Sequence, residues 1–185
     1  MGGEPKALMD VGGRRIIERV AEVLRQVTDE LLLVTNTPER YAWMGYPMVP
    51  DVFPDAGSLG GIYSVLKAAP GEAAFVVAYD MPFLAPDVAR LVTSRAALAD
   101  VVIPLIRGFH ETLHASYAKL CLGPMERRIA AGQLKITGFF PDVRVLEIPE
   151  AEVARLADPE RVFMNVNTPE ELERARAIAA AEAQL

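Results

Sequence analysis

Two rhythms of apolar and polar residues alternate along the chain. In the first, short runs are apolar at nearly every position, as at residues 30–35, 73–78 and 100–105. A strand reads this way when helices cover both faces of its sheet. In the second, apolar residues recur every three or four positions. Ile16, Val20, Val23, Leu24 and Val27 form one such stripe, Ile62, Tyr63, Val65 and Leu66 another, and Val88, Leu91 and Val92 a third. These predict amphipathic helices.

The breaks between runs are as informative. Asn36, Thr37 and Pro38 end the run at 30–35, and Met48-Val49-Pro50 reads as a short edge strand leading to Asp51. The run at 73–78 stops at Asp80, because Pro82 has no N–H with which to continue a ladder. Pro86 and Asp87 then suit the first turn of a helix. Residues 108–117 are expected to return as an antiparallel strand, with His114 facing a cleft. Residues 122–131 read as a helix with Pro124 near its start and Gly132 just past its end. Residues 143–148 alternate and predict a half-exposed strand; residues 149–157 read as a short helix. Thr168 and Glu171 have the spacing of a capping box, and the alanine-rich tail from Arg174 favours helix.

The order is thus β, α, β, α, β, which predicts an α/β fold with a mostly parallel sheet and helices on both faces. A chain of 185 residues suits one domain spanning 1–185. Its formal net charge of −6 and lack of a basic stripe argue against a nucleic-acid partner. The Arg14-Arg15 and Arg127-Arg128 pairs read as solvated helix faces. No apolar run is long enough for a bilayer, and no signal peptide stands at the start. The single cysteine, Cys121, excludes an internal disulfide and suits a reducing cytoplasm; a buried, inert thiol is its expected state.

Polar residues collect where strands end: Asn36, Asp51, Asp80, and Asn165 with Asn167. In open α/β sheets that edge is where ligands bind. A carboxylate at Asp80 can hold a divalent metal against a phosphate. Lys6 stands beside a glycine-rich loop, a plausible phosphate contact. Residues 57–61, Gly-Ser-Leu-Gly-Gly, form a flexible loop feeding a helix start, whose N–H groups suit an anion or a base edge. That loop matches neither the phosphate-loop nor the dinucleotide pattern. His110 and His114 are four residues apart, but Gly108 and Thr112 argue against the helix that zinc binding would need. No serine, cysteine or histidine nucleophile stands out. One strand-end Asp, one loop Lys and a glycine loop suit phosphoryl or nucleotidyl transfer, which relies on positioning and charge neutralisation.

Five stretches, in order, resemble the molybdenum cofactor guanylyltransferase family. They are Met-Gly-Gly-Glu-Pro-Lys-Ala-Leu (1–8), Val-Pro-Asp (49–51) with Gly-Ser-Leu-Gly-Gly (57–61), Tyr-Asp-Met-Pro-Phe (79–83), Glu-Thr-Leu-His-Ala-Ser-Tyr (111–117) and Asn-Val-Asn-Thr-Pro-Glu-Glu (165–171). The resemblance implies a three-layer, Rossmann-like nucleotidyltransferase fold. It implies transfer of GMP from GTP to molybdopterin with Mg²⁺, releasing pyrophosphate. By that resemblance Lys6 contacts the GTP phosphates and Asp80 is the Mg²⁺ ligand. Asn36, Asp51, Gly57, Gly60 and Gly61 belong to the nucleotide side. His114, Asn165 and Asn167 belong to the pterin side. Molybdenum-insertion and acceptor molybdoenzyme proteins are the implied protein partners. The resemblance also places an apolar strand and a Gly-Gly-x-Ser-x-Arg loop ahead of Met1, between the strand at 30–35 and that at 73–78, so the reading frame is expected to continue upstream. Transfer of CMP to the same pterin is an alternative activity, and a catalytically silent nucleotide- or pterin-binding protein is another if Met1 is the true start.

Overall fold

A computed structural model describes residues 5–182. The chain opens on a 3₁₀ turn, Lys6–Leu8, and enters helix α1 (Ile16–Leu24), whose stripe buries Ile16, Ile17, Val20 and Ala21. Strand β1 is short (Leu33–Val34) and pairs in parallel with β2 (Met48–Val49). Helix α2 (Gly57–Ala68) leads to β3 (Ala73–Val77), and α3 (Pro86–Ser94) leads to β4 (Val101–Ile106). Then come β5 (Phe109–His110), β6 (His114–Ala118), α4 (Leu122–Ala130) and a 3₁₀ stretch, Ile136–Asp142. Strand β7 (Val145–Pro149), the short helices α5 (Glu150–Val153) and α6 (Pro159–Val162), and α7 (Pro169–Glu182) complete the described chain.

Helix ends follow the sequence signals. Gly132, at φ +68°, closes α4, with its N–H bonded to the Ile129 carbonyl and the Gln133 N–H to that of Arg128. At α7 the capping box is complete: the Glu171 N–H donates to Thr168 Oγ1, and the Thr168 N–H donates to Glu171 Oε2.

The sheet differs from the expectation of a mostly parallel one. Strands β3, β6, β4 and β5 lie side by side, and β7 pairs with β4. Strand β6 is antiparallel to both β3 and β4, β5 is antiparallel to β4, and only β7 runs parallel to its neighbour. The cause is the tight β4–β5–β6 reversal at Arg107 and Gly108, both at positive φ, which sends β6 back between β3 and β4. Because β6 opposes both, β3 and β4 share a direction, as an α3 crossover requires.

Helices do cover both faces. Successive residues of β4 go to opposite cores: Val102 and Ile106 join Ile16, Val20, Val88, Val92, Leu172 and Ala175, whereas Val101 and Ile103 join Leu59, Ile62, Leu66, Met125 and Phe139. Cys121 lies fully buried in the second core, and burial pushes its thiol up to about 12.

No ladder joins β1 to β3 among the described residues. Between them run two apolar cavities of about 680 and 640 Å³, both lined by Leu24, Leu32, Val65 and Phe75. The Ala78 N–H bonds to Leu113, and the Lys119 N–H to Glu72. By antiparallel alternation, the main-chain groups of Ala73, Phe75 and Val77 therefore turn away from β6 and toward this slot. The residue run at 30–35 shrinks to two paired residues, Leu33 and Val34, because β2 is its only described partner.

Candidate active site

At the carboxyl end of β3 the chain leaves the sheet and turns through Asp80, Met81, Pro82, Phe83 and Leu84. Met81, Phe83 and Leu84 are buried, so they anchor the turn in the core while Asp80 lies at the rim of the second cavity. The Asp80 carbonyl accepts the Val166 N–H at 2.9 Å. That bond joins Asp80 to the middle of the Asn165-Val166-Asn167 segment. Asp80 Oδ1 is buried and has no hydrogen-bond partner among the described residues. Burial raises the Asp80 carboxyl above its ordinary value; its own backbone N–H and the Lys6 ammonium oppose the rise, and Glu171 adds to it.

Lys6 and Asn167 lie 161 positions apart in sequence, yet Lys6 Nζ donates to Asn167 Oδ1 at 2.7 Å. The residues expected on the phosphate side and on the pterin side thus form one cluster beside Asp80. Asn165 stands next to it, half-buried, its amide donating to the Phe163 carbonyl at 3.3 Å.

A second cluster reaches the same cavity through Asn36 and Asp51. Asn36 Oδ1 accepts the Asp51 N–H at 2.9 Å, which ties the end of β1 to the end of β2. Asp51 Oδ1 accepts the Phe53 N–H and the Ser64 hydroxyl, at 3.0 and 2.8 Å. Ser64 Oγ also accepts the Val52 N–H and lies 2.8 Å from the Gly60 carbonyl. Ser64 is a member that sequence reasoning missed; its place one turn after Gly60 on a helix was the available signal. Residues 57–61 are not a loop but the opening of α2. Gly57 enters at φ +56°, and Ala56 at the N-cap offers no side-chain acceptor, so the first turn of N–H groups has no side-chain cap. A side chain at Gly60 would meet the Phe53 carbonyl oxygen at 2.5 Å, whereas Gly61 faces open space in the cavity.

His114 does not face this cavity. Its ring is fully buried, edge-on to Phe75 and Phe163 at 5.0 and 5.1 Å, and neither ring nitrogen has a hydrogen-bond partner among the described residues. Alternation along β6 sends residue 114 into the core and leaves Leu113 at the cavity. Burial lowers its imidazole to about 3, so it is neutral at ordinary pH. His110 bonds instead to Glu147 at 2.7 Å, and no group of three or more His, Cys, Asp or Glu gathers among the described residues.

The lining of the cavity of about 640 Å³ thus brings together Asn36, Asp51, Gly57, Ser58 and Gly61 with Tyr79 and Asp80. The MobA-like NTP transferase domain profile matches residues 1–140. The chain belongs to the MobA-like NTP transferase family. This MobA-like chain is 37% identical over 177 residues to a probable molybdenum cofactor guanylyltransferase of Pelotomaculum thermopropionicum, covering 96% of this chain and 86% of the relative. It is also 37% identical to the molybdenum cofactor guanylyltransferase of Desulfosudis oleivorans, over 95% of this chain and 88% of that one. Among solved structures it superposes on molybdopterin-guanine dinucleotide biosynthesis protein A of Archaeoglobus fulgidus with a TM-score of 0.82, at 26% identity, covering 97% and 92% of the two chains. The 2-C-methyl-D-erythritol 4-phosphate cytidylyltransferase of Thermus thermophilus shares the fold, with a TM-score of 0.70 at 16% identity.

Nucleotidyl transfer of the MobA kind uses a divalent metal. Asp80 fits one. Its buried Oδ1, without a partner among the described residues, is a hard donor whose desolvation a cation would offset, and a cation of this type takes its other ligands from water and phosphate. No described helix is long and apolar enough to cross a membrane.

Proposed function

We propose that this protein transfers GMP from GTP to molybdopterin and releases pyrophosphate. The observation that carries the reading is that two clusters meet at one cavity: Asn36 and Asp51 in its lining, bonded on to Ser64 and Gly60, and Asp80 in its lining, with the Lys6–Asn167 pair beside it. The first suits a nucleoside. Both of Asp51's internal bonds fall on Oδ1, which leaves Oδ2 to accept from the N1–H and N2–H₂ edge of guanine. The glycine-lined start of α2 lets a planar base or ribose approach the main chain. The second cluster suits the triphosphate and the acceptor. Lys6 neutralises charge on the departing phosphates, and Asn167, by bonding Lys6, sets where that ammonium sits. Asn165 and Asn167 present amides to the pterin. Asp80 holds Mg²⁺, which supplies charge neutralisation at the phosphates.

In bond terms, a phosphate oxygen of molybdopterin attacks the α-phosphorus of GTP. The bond from that phosphorus to the bridging oxygen breaks, and pyrophosphate leaves with both electrons. Nothing in this step needs a covalent enzyme intermediate, in keeping with the unreactive, buried state of Cys121. We read the whole chain as one nucleotidyltransferase unit. The reducing cytoplasm is the compartment that suits its single thiol. Molybdenum-insertion and acceptor molybdoenzyme proteins are its proposed partners.

Pyrophosphate release with GTP, CTP, ATP and UTP, each with and without molybdopterin, tests the proposal. Release is expected with GTP and the pterin together, and Asp80→Asn should cut it at least about 100-fold. Because burial raises the Asp80 carboxyl, losing its charge should leave the melting temperature equal or higher. Equal release with CTP would replace GMP by CMP transfer. Near-normal turnover of Asp80→Asn at saturating Mg²⁺ would remove Asp80 from the metal site.

A further inference from the structure

The 80–84 turn has no ladder of its own, and one side chain from outside the cavity holds it. Arg19, on α1, donates from Nε to the Pro82 carbonyl at 3.0 Å and from Nη1 to the Val11 carbonyl at 3.2 Å. Its guanidinium carbon lies 5.3 Å from the centre of the Phe83 ring, and that of Arg161 lies 5.1 Å from the same ring. Two like charges so close repel. Glu182 at the end of α7 offsets this, with Oε2 3.5 Å from Arg19 Nη2 and Oε1 paired with Arg161 Nη2. The Arg19 side chain is only 22% exposed, and burial, then the charges of Arg14 and Arg161, lower its affinity for its proton. A half-buried cation in such surroundings costs free energy that its bonds must offset.

What those bonds hold is specific. Pro82 has no N–H, so its carbonyl is the one main-chain group that residue can contribute to a hydrogen bond. The Asp80 carbonyl is fixed by Val166 on one side, and the Pro82 carbonyl by Arg19 on the other. Arg161 shares the ring and the carboxylate but donates no hydrogen bond to the turn. We propose that Arg19 is a positioning residue for Asp80, holding the 80–84 turn so that the affinity of the Asp80 carboxylate for a divalent cation depends on it. The inference rests on Asp80 as the metal-holding residue of the reaction above.

The test is a titration of the full chain with Mn²⁺ alone, read by water-proton relaxation, with melting temperatures measured in parallel. Arg19→Met should weaken Mn²⁺ binding about tenfold, the order carried by one hydrogen bond from a charged donor. Arg161→Met should lower the melting temperature comparably, yet keep Mn²⁺ affinity within about twofold, since it removes the ring contact and the Glu182 pair but no bond to the turn. Arg19→Lys keeps the charge without the fork that reaches two carbonyls, and should fall between wild type and Arg19→Met; if Arg19→Met fails to fold, this variant carries the test. Wild-type affinity in the Arg19 variants, or equal weakening in Arg161→Met, overturns the inference. Asp80→Asn separates the two levels: if it loses Mn²⁺ while Arg19→Met does not, only the role of Arg19 fails, and if it keeps Mn²⁺, the reading of Asp80 fails with it.

Discussion

Gly60 and Gly61 are adjacent in one helix, yet replacing each by alanine should move stability in opposite directions. Alanine is favoured over glycine in a helix interior by about 1 kcal/mol. At Gly61 nothing lies within 4 Å of the added carbon, so Gly61→Ala should realise most of that gain. At Gly60 the same carbon would meet the Phe53 carbonyl oxygen at 2.5 Å, Ala56 Cβ at 3.0 Å and Asp51 Oδ1 at 3.2 Å. The first of these is backbone and cannot swing aside. Forcing a methyl into a packed site costs about 1–3 kcal/mol. Moving Asp51 Oδ1 also weakens its bonds from Phe53 and Ser64, and a bond to a charged group is worth about 1.5–3 kcal/mol. Set against the helix gain, the net loss is about 2–4 kcal/mol. For a chain of this size that is a fall in melting temperature of about 5–15 °C, against a rise of about 2–3 °C for Gly61→Ala. Thermal unfolding followed by far-ultraviolet circular dichroism gives both numbers, and steady-state kinetics adds a third. Gly61 lines the cavity, so Gly61→Ala should raise KM for GTP although the protein is more stable. A Gly60→Ala protein that melts like wild type, or a Gly61→Ala protein that melts lower, would refute this packing argument.

Two further outcomes follow from the buried side chains and the Lys6 cluster. His114 is lowered to about 3 in the folded protein from 6.5, so the unfolded chain binds the extra proton between these values; the stability is fully present above pH 6.5 and falls as pH drops toward 3. His114→Phe should flatten this acid slope in urea melts, and an unchanged slope would assign it to other groups. Replacing Asn165 by alanine should raise KM for the pterin with little change for GTP, because the Lys6–Asn167 pair and the Thr168–Glu171 cap of α7 stay in place; a large loss of thermal stability with normal pterin KM would make Asn165 structural.

Much of the architecture was legible because its signals are local. Proline and glycine mark the ends of α3 and α4, and residues 168 and 171 write the α7 cap directly. Unbroken apolar runs showed that both faces of the sheet are covered. Strand direction was less legible, because a reversal at Arg107 and Gly108 depends on two positive φ angles, one of them on a residue that gives no such hint. At the site, Asp80 and Asn167 could be named from their places at strand and helix ends. Their meeting through Lys6 and Val166 spans most of the chain and has no local mark. His114 shows the reverse failure. A histidine in a polar-looking stretch suggested a ligand contact, but the side-chain parity of β6 put it between two aromatic rings.

The split between β1 and β3 gives the amides of one strand two different clocks. In β3, the N–H groups of Ala74 and Val76 are shared with β6, whereas those of Ala73, Phe75 and Val77 turn toward the slot. Exchange with heavy water should therefore run fast, slow, fast, slow, fast along five consecutive residues. The same arrangement bears on self-recognition. An open strand edge on an outer surface templates pairing with other copies. Among the described residues the free sides of β1 and β3 face each other across the two cavities rather than outward.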